Sequence, residues 1–92
     1  MVYALSYELK SVEKDYAPFF HYLEHQLGKV AIHVLRDTWW ISSDNELDVN
    51  AVCDEIRKLI AEKDRFYLYR LIDKDINGWL ASSSWDFFKD NH

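Results

Sequence analysis

Ninety-two residues, 49% hydrophobic and 16% aromatic with only two glycines and one proline, make one small folded domain and exclude a disordered or fibrous chain. Sixteen acidic against eleven basic residues leave a formal charge of −5, which opposes sequence-independent phosphate binding, since that needs clustered Lys and Arg. No apolar run approaches the roughly 18 residues of a membrane span, MVYALSYELK lacks a basic stretch followed by an apolar one, and a lone Cys53 cannot form an intrachain disulfide; a cytoplasmic protein without a membrane segment is expected.

Val2 to Leu9 alternates Tyr3, Leu5, Tyr7 and Leu9 on one side with Val2, Ala4, Ser6 and Glu8 on the other, the pattern of a strand with two different faces. Asp15 is placed to cap a helix whose apolar residues Tyr16, Phe19, Phe20, Leu23 and Leu27 recur at three and four, with Pro18 in the first turn and Gly28 as the stop. Lys29 to Leu35 and Thr38 to Ser42 are β-rich runs joined by Arg36-Asp37, a hairpin signal. After the polar run Ser42 to Asn45, Asp48 caps a helix bearing Val49, Val52, Ile56, Leu59 and Ile60, with Asp54 and Lys58 as an exposed pair and Cys53 beside the apolar stripe as a small core residue. Arg65 to Ile72 reads as the fourth strand, and Ser83 with Asp86 as a capping box for a short last helix bearing Trp85, Phe87 and Phe88.

This order specifies an α+β, ferredoxin-like βαββαβ domain over residues 1–92: a four-stranded antiparallel sheet with two helices on one face, plus a short C-terminal helix. The sheet is apolar on both sides. Strand four carries Phe66 and Leu68 on one side against Tyr67, Tyr69 and Leu71 on the other, and Trp39 and Trp40 point opposite ways. Either the C-terminal aromatic segment or a second subunit must cover the face without helices. In the second case a homodimer interface of Ala4, Ser6, Trp40, Tyr69, Trp85 and Phe88 is expected.

Several short motifs carry chemistry. His21 to His25 spells H-x-x-E-H, the inverted zinc-protease pattern, yet helical spacing turns both histidines away from the apolar stripe and toward solvent. Asp73 to Gly78 matches the first half of a calcium loop, but its twelfth position is Ser84, so a polar turn with Gly78 at positive φ is expected. Phosphate-loop, dinucleotide, nucleophile-elbow and paired C-x-x-C motifs do not occur. The aromatic residues suit base stacking, but without basic residues to track a backbone they read as core and interface, which disfavours nucleic acid as a partner.

The motifs SYEL (Ser6 to Leu9), Lys14-Asp15-Tyr16, DTWW (Asp37 to Trp40), KDRFYLYRL and the terminal WDFFKDN resemble the small bacterial SinR-family proteins of the Cas-two/VapD-like group. The resemblance spans nearly the whole chain and implies a ferredoxin-like homodimer. Within that group it implies CRISPR-adaptation subunits and toxin-type endoribonucleases with an aspartate at the end of the first strand around a divalent ion; Glu8 stands at that position here. Taking strands one and three to run the same way and strand four opposite, Glu8, the Ser43-Asp44 turn and Asp64-Arg65 are expected to meet at one end of the sheet. If a two-fold axis passes near Glu8, Mg²⁺ or Mn²⁺ can be shared by two copies.

Three functional classes follow. The first is a non-catalytic homodimeric interaction protein that needs no cofactor. The second is a metal-dependent ribonuclease with Glu8 as its catalytic and metal-binding residue, and the third an acidic protein-binding module from a mobile element. The first is preferred, because the acidic surface and Glu8 in place of Asp both weigh against nuclease chemistry.

Overall fold

Alternation along both outer-facing and inner-facing positions of the strands demands a sheet buried on two sides, and the chain builds one. The computed structural model describes residues 1–73 and 75–92. In chain order the elements are β1 (Val2–Glu8), α1 (Ala17–His25), β2 (Val30–Leu35), β3 (Thr38–Ser42), α2 (Val49–Arg57), β4 (Arg65–Leu71) and α3 (Ser82–Asn91). The strands lie in the order β2-β3-β1-β4, every pair antiparallel, as a ferredoxin-like βαββαβ domain with an added C-terminal helix.

Strand direction corrects one expectation. The α1 crossover brings β2 back alongside β1's direction, the tight hairpin then reverses β3, and β1 and β3 therefore run opposite ways, with Val2 paired to Ser42 and Ser6 to Thr38. Glu8 pairs with Arg65 at one end of the sheet. Ser43, whose N–H donates to the Met1 carbonyl, lies at the other end.

On the first face, Leu5, Tyr7, Trp39 and Ile41 pack with Phe19, Leu23 and Leu27 from α1 and Val52 and Ile56 from α2. The Tyr7 ring meets Phe19 edge-on at 5.3 Å, and its hydroxyl accepts the Trp39 Nε1–H at 3.0 Å, so two aromatic side chains bury their polar ends together. Burial pushes the Tyr7 phenol above its ordinary value.

On the second face, Val2, Ala4, Trp40 and Phe88 form a separate core, with Ile32, Val34, Tyr69, Leu71, Ile76, Leu80, Trp85 and Phe87 against it. Of the two covers open to this face, the chain's own α3 is in place. The Trp40 ring meets Trp85 at 5.7 Å and Phe88 at 5.8 Å, both edge-on. The helix end is pinned as well: the Met1 amino group donates to the Asn91 carbonyl at 3.2 Å, and Ser42 Oγ donates to Asn91 Oδ1 at 3.2 Å. A cation at the carbonyl end of a helix is the favourable orientation.

Helix ends depart from the expected caps. Asp48 does cap α2, accepting the Asn50 and Ala51 N–H groups. At α1, however, Tyr16 occupies the cap position and Asp15 accepts only the Ala17 N–H at 2.9 Å, because Pro18 removes one of the donors an N-cap carboxylate would satisfy. No Ser83–Asp86 box forms; α3 begins two residues earlier, with Ala81 at its cap position, and buries Ser84. Asp54 pairs with Arg57 at 2.8 Å and Glu55 with Lys58 at 2.9 Å, both one turn apart at i,i+3, in place of an Asp54–Lys58 pair. Leu59 and Ile60 lie beyond the end of α2 but still pack against the first core.

Candidate functional site

Two features could carry function: the Glu8 end of the sheet and the groove left over the second face. At the first, β1 delivers Glu8 opposite Arg65, and its carboxylate accepts from Lys10 Nζ at 3.1 Å. Both side chains of that pair are more than half exposed, the setting in which an ion pair contributes about 1 kcal/mol or less. Asp64 lies nearby but is already engaged. Its Oδ1 accepts the Lys10 N–H at 2.7 Å, and its Oδ2 accepts the Ala61 N–H at 2.7 Å and the Tyr16 hydroxyl at 2.6 Å.

This carboxylate ties the β1–α1 connection, the start of α1 and the turn before β4 to one buried point, Asp64 being 6% exposed. Burial opposes its charge, yet the Tyr16 hydroxyl and the two amides outweigh that and hold its carboxyl below the usual range. Burial and the hydrogen bond to Asp64 together push the Tyr16 phenol upward. Of the end-of-sheet group expected, the structure thus brings together Glu8, Asp64 and Arg65 and leaves Ser43 and Asp44 at the far end, where Asp44 lies 3.7 Å from Lys29. No cluster of three or more His, Cys, Asp or Glu side chains suited to a metal ion occurs among the described residues.

Glu8→Gln is therefore expected to change stability by about 1 kcal/mol or less, and Mg²⁺ or Mn²⁺ to leave the melting temperature of the wild type where it was. A metal-induced rise that Glu8→Gln erases would install the nuclease chemistry instead.

The histidine pair stands as its spacing suggested. His21 and His25 are exposed, their rings 4.9 Å apart, and His25 Nε2 lies 3.5 Å from Glu24. In the half-calcium motif, Lys74 lies outside the described residues. Asp73 meets His92 Nε2 at 3.4 Å, and Asn77 Oδ1 accepts the Gly78 N–H at 2.8 Å. Gly78 does not adopt a positive φ, which corrects the expected turn geometry.

The groove on the second face is the feature that sequence reasoning missed. After β4 the chain recrosses the sheet toward α3, and between this crossing and the strands lies a cavity of about 470 Å³ walled by Trp40, Tyr69, Trp79 and Trp85 with Asp75 and Asn77 at the crossing segment. Beneath it the central strand β1 turns the small side chains of Ala4 and Ser6 toward this face, lower than the aromatic walls. Ser6 Oγ lies 3.1 Å from Thr38 Oγ1 and 3.4 Å from the Tyr69 hydroxyl, a satisfied hydroxyl cluster beside the aromatic rings. Tyr67 stacks on Tyr69 at 4.8 Å and is 62% exposed. The excess of Trp in WLASSSWDFF was the available signal, but only the path of the crossing makes a groove of it.

Of the six expected interface residues, Ala4, Trp40 and Phe88 are buried within the chain by α3, while Ser6, Tyr69 and Trp85 stay partly open. Burial of the first three satisfies the apolar face without a second subunit. No helix is long and apolar enough to cross a membrane among the described residues. No protein-family model, curated protein or solved structure matches the chain, so the likeness to the SinR-family proteins rests on its quoted motifs alone.

Proposed function

We propose that the chain is a non-catalytic interaction domain that self-associates through the edge of β2. The observation that carries this reading is the composition of that edge. Natural sheets blunt their edges with Lys, Pro, inward charges or covering elements. Edge strand β4 has Arg65 and Arg70, whereas β2 reads Val-Ala-Ile-His-Val-Leu, with Val30 41% and Leu35 55% exposed, and pairs only with β3. Its one irregularity lies between His33 and Leu35, at the hairpin end. An uncharged strand with one open edge invites an added strand, and in a closed symmetric pair that strand is β2 of a second copy.

Amide hydrogen exchange at low and high protein concentration tests the location. Protection is expected to rise with concentration in residues 30–35 and to stay constant in β4. Concentration-dependent protection in β4, or none anywhere, would refute the assignment.

A further inference from the structure

The groove over the second face combines aromatic walls with a single carboxylate. Among its described lining residues, Asp75 is the only charged one, and it belongs to a chain of net charge −5. Trp79, at the rim, is 97% exposed. A whole indole left in water forfeits the stabilisation of burying one of the largest apolar side chains, so this position is wasteful unless something covers it. Trp79, Tyr69 and Trp85 bring aromatic rings, whose faces carry negative π density, to the lining, and Asp75 adds a full negative charge among them. Asp75 is exposed and hydrated, so a neutral apolar ligand would gain nothing from its charge, an anion would be repelled, and a compact hydrated cation would gain little from apolar walls. The complementary ligand carries its positive charge inside a methylated, weakly hydrated shell.

We infer that this groove binds a small quaternary ammonium compound, its methylated nitrogen against the Trp79, Trp85 and Tyr69 rings and its charge compensated by Asp75. At about 470 Å³ the cavity falls within the range of small-molecule sites. Val34 and Leu35 at the hairpin end of β2 border this groove, but the binding proposed here rests on the rings and Asp75, so it goes beyond the self-association proposed above and is tested separately from it.

Choline and its uncharged carbon isostere 3,3-dimethylbutan-1-ol have the same shape and differ in charge, and the four indole N–H signals report where each binds. Trp39 is an internal control, because it lies on the first face with its Nε1–H bonded to Tyr7. Choline is expected to shift the Trp79 and Trp85 signals, leave Trp39 unmoved, and bind about three- to thirty-fold more tightly than the isostere. Asp75→Asn should remove most of that preference while leaving the isostere's affinity unchanged. Trp79→Ala should abolish the choline response without lowering the melting temperature, since its side chain is fully solvated. Equal affinity for the two compounds, shifts that include Trp39, or no shift of Trp79 and Trp85 with choline would overturn the assignment.

Discussion

Gly28→Ala is expected to cost about 2–3 kcal/mol, a fall in melting temperature on the order of 10–20 °C for a domain of this size. A Cβ at Gly28 would lie 2.4 Å from the Ser42 carbonyl oxygen and 2.6 Å from Ile41 Cγ2, and the first of these is backbone at the end of the inner strand β3. The adjacent Lys29 N–H donates to that same Ser42 oxygen at 2.7 Å, so the chain leaving α1 cannot retreat without losing the bond that starts β2. Space alone, with no demand on φ, reserves this position for glycine. Gly78→Ala is the matched control: a Cβ there meets nothing within 4 Å and should change the melting temperature little. Thermal unfolding of the two variants side by side checks both, and equal tolerance of Ala would show that the α1–β2 connection can move away from β3.

Asp64→Ala is the second large effect, about 2–3 kcal/mol, because it strips the acceptor from the Lys10 and Ala61 amides and the Tyr16 hydroxyl at once. Asp64→Asn should cost less. Its amide oxygen can replace one carboxylate oxygen, but the NH₂ group then faces a donor where the other oxygen had accepted. The pH dependence follows from the direction of the shift. A carboxyl held below its unfolded value contributes stability that is fully present above about pH 4–5 and is lost as pH falls through the folded value. The gap in melting temperature between wild type and Asp64→Asn is therefore expected to be widest near neutral pH and to close on acidification. A gap that widened toward low pH would mean that Asp64 is protonated in the native state.

What could be read from the residues was what periodicity encodes. The order of elements, the two-faced strands Val2–Glu8 and Arg65–Leu71, and the opposite orientations of Trp39 and Trp40 all follow from spacing along the chain. Strand direction is not in the alternation, which is the same whichever way a strand runs; it follows only when the connections are traced, one helical crossover and then a reversing hairpin, and that trace puts Asp44 at the far end of the sheet from Glu8. The Asp64 tie was illegible for another reason: its partners Lys10 and Tyr16 lie 54 and 48 residues away, and an acceptor shared by distant amides leaves no pattern in sequence. Asp86 and Ser83 made a plausible cap, yet burial of Ser84 and packing of Trp85 and Phe88 against the second face set where α3 begins. The groove depends on how residues after β4 recross the sheet, which no local rule encodes.

Coverage of the second face by α3 bears on the proposed self-association: with Ala4, Trp40 and Phe88 already buried within the chain, the proposal uses the exposed edge of β2 in place of that face.

Sedimentation equilibrium across a wide concentration range, comparing the wild type with a Val30→Lys/Leu35→Lys variant, tests this most directly. Both replaced side chains are exposed, so the variant should fold with little loss of stability while placing a charge at each end of the edge. The wild type is expected to rise from 11.0 kDa toward about twice that mass as concentration increases, and the variant to remain monomeric. A wild type that stays at 11.0 kDa throughout, or a variant that associates as strongly as the wild type, would contradict assembly through β2.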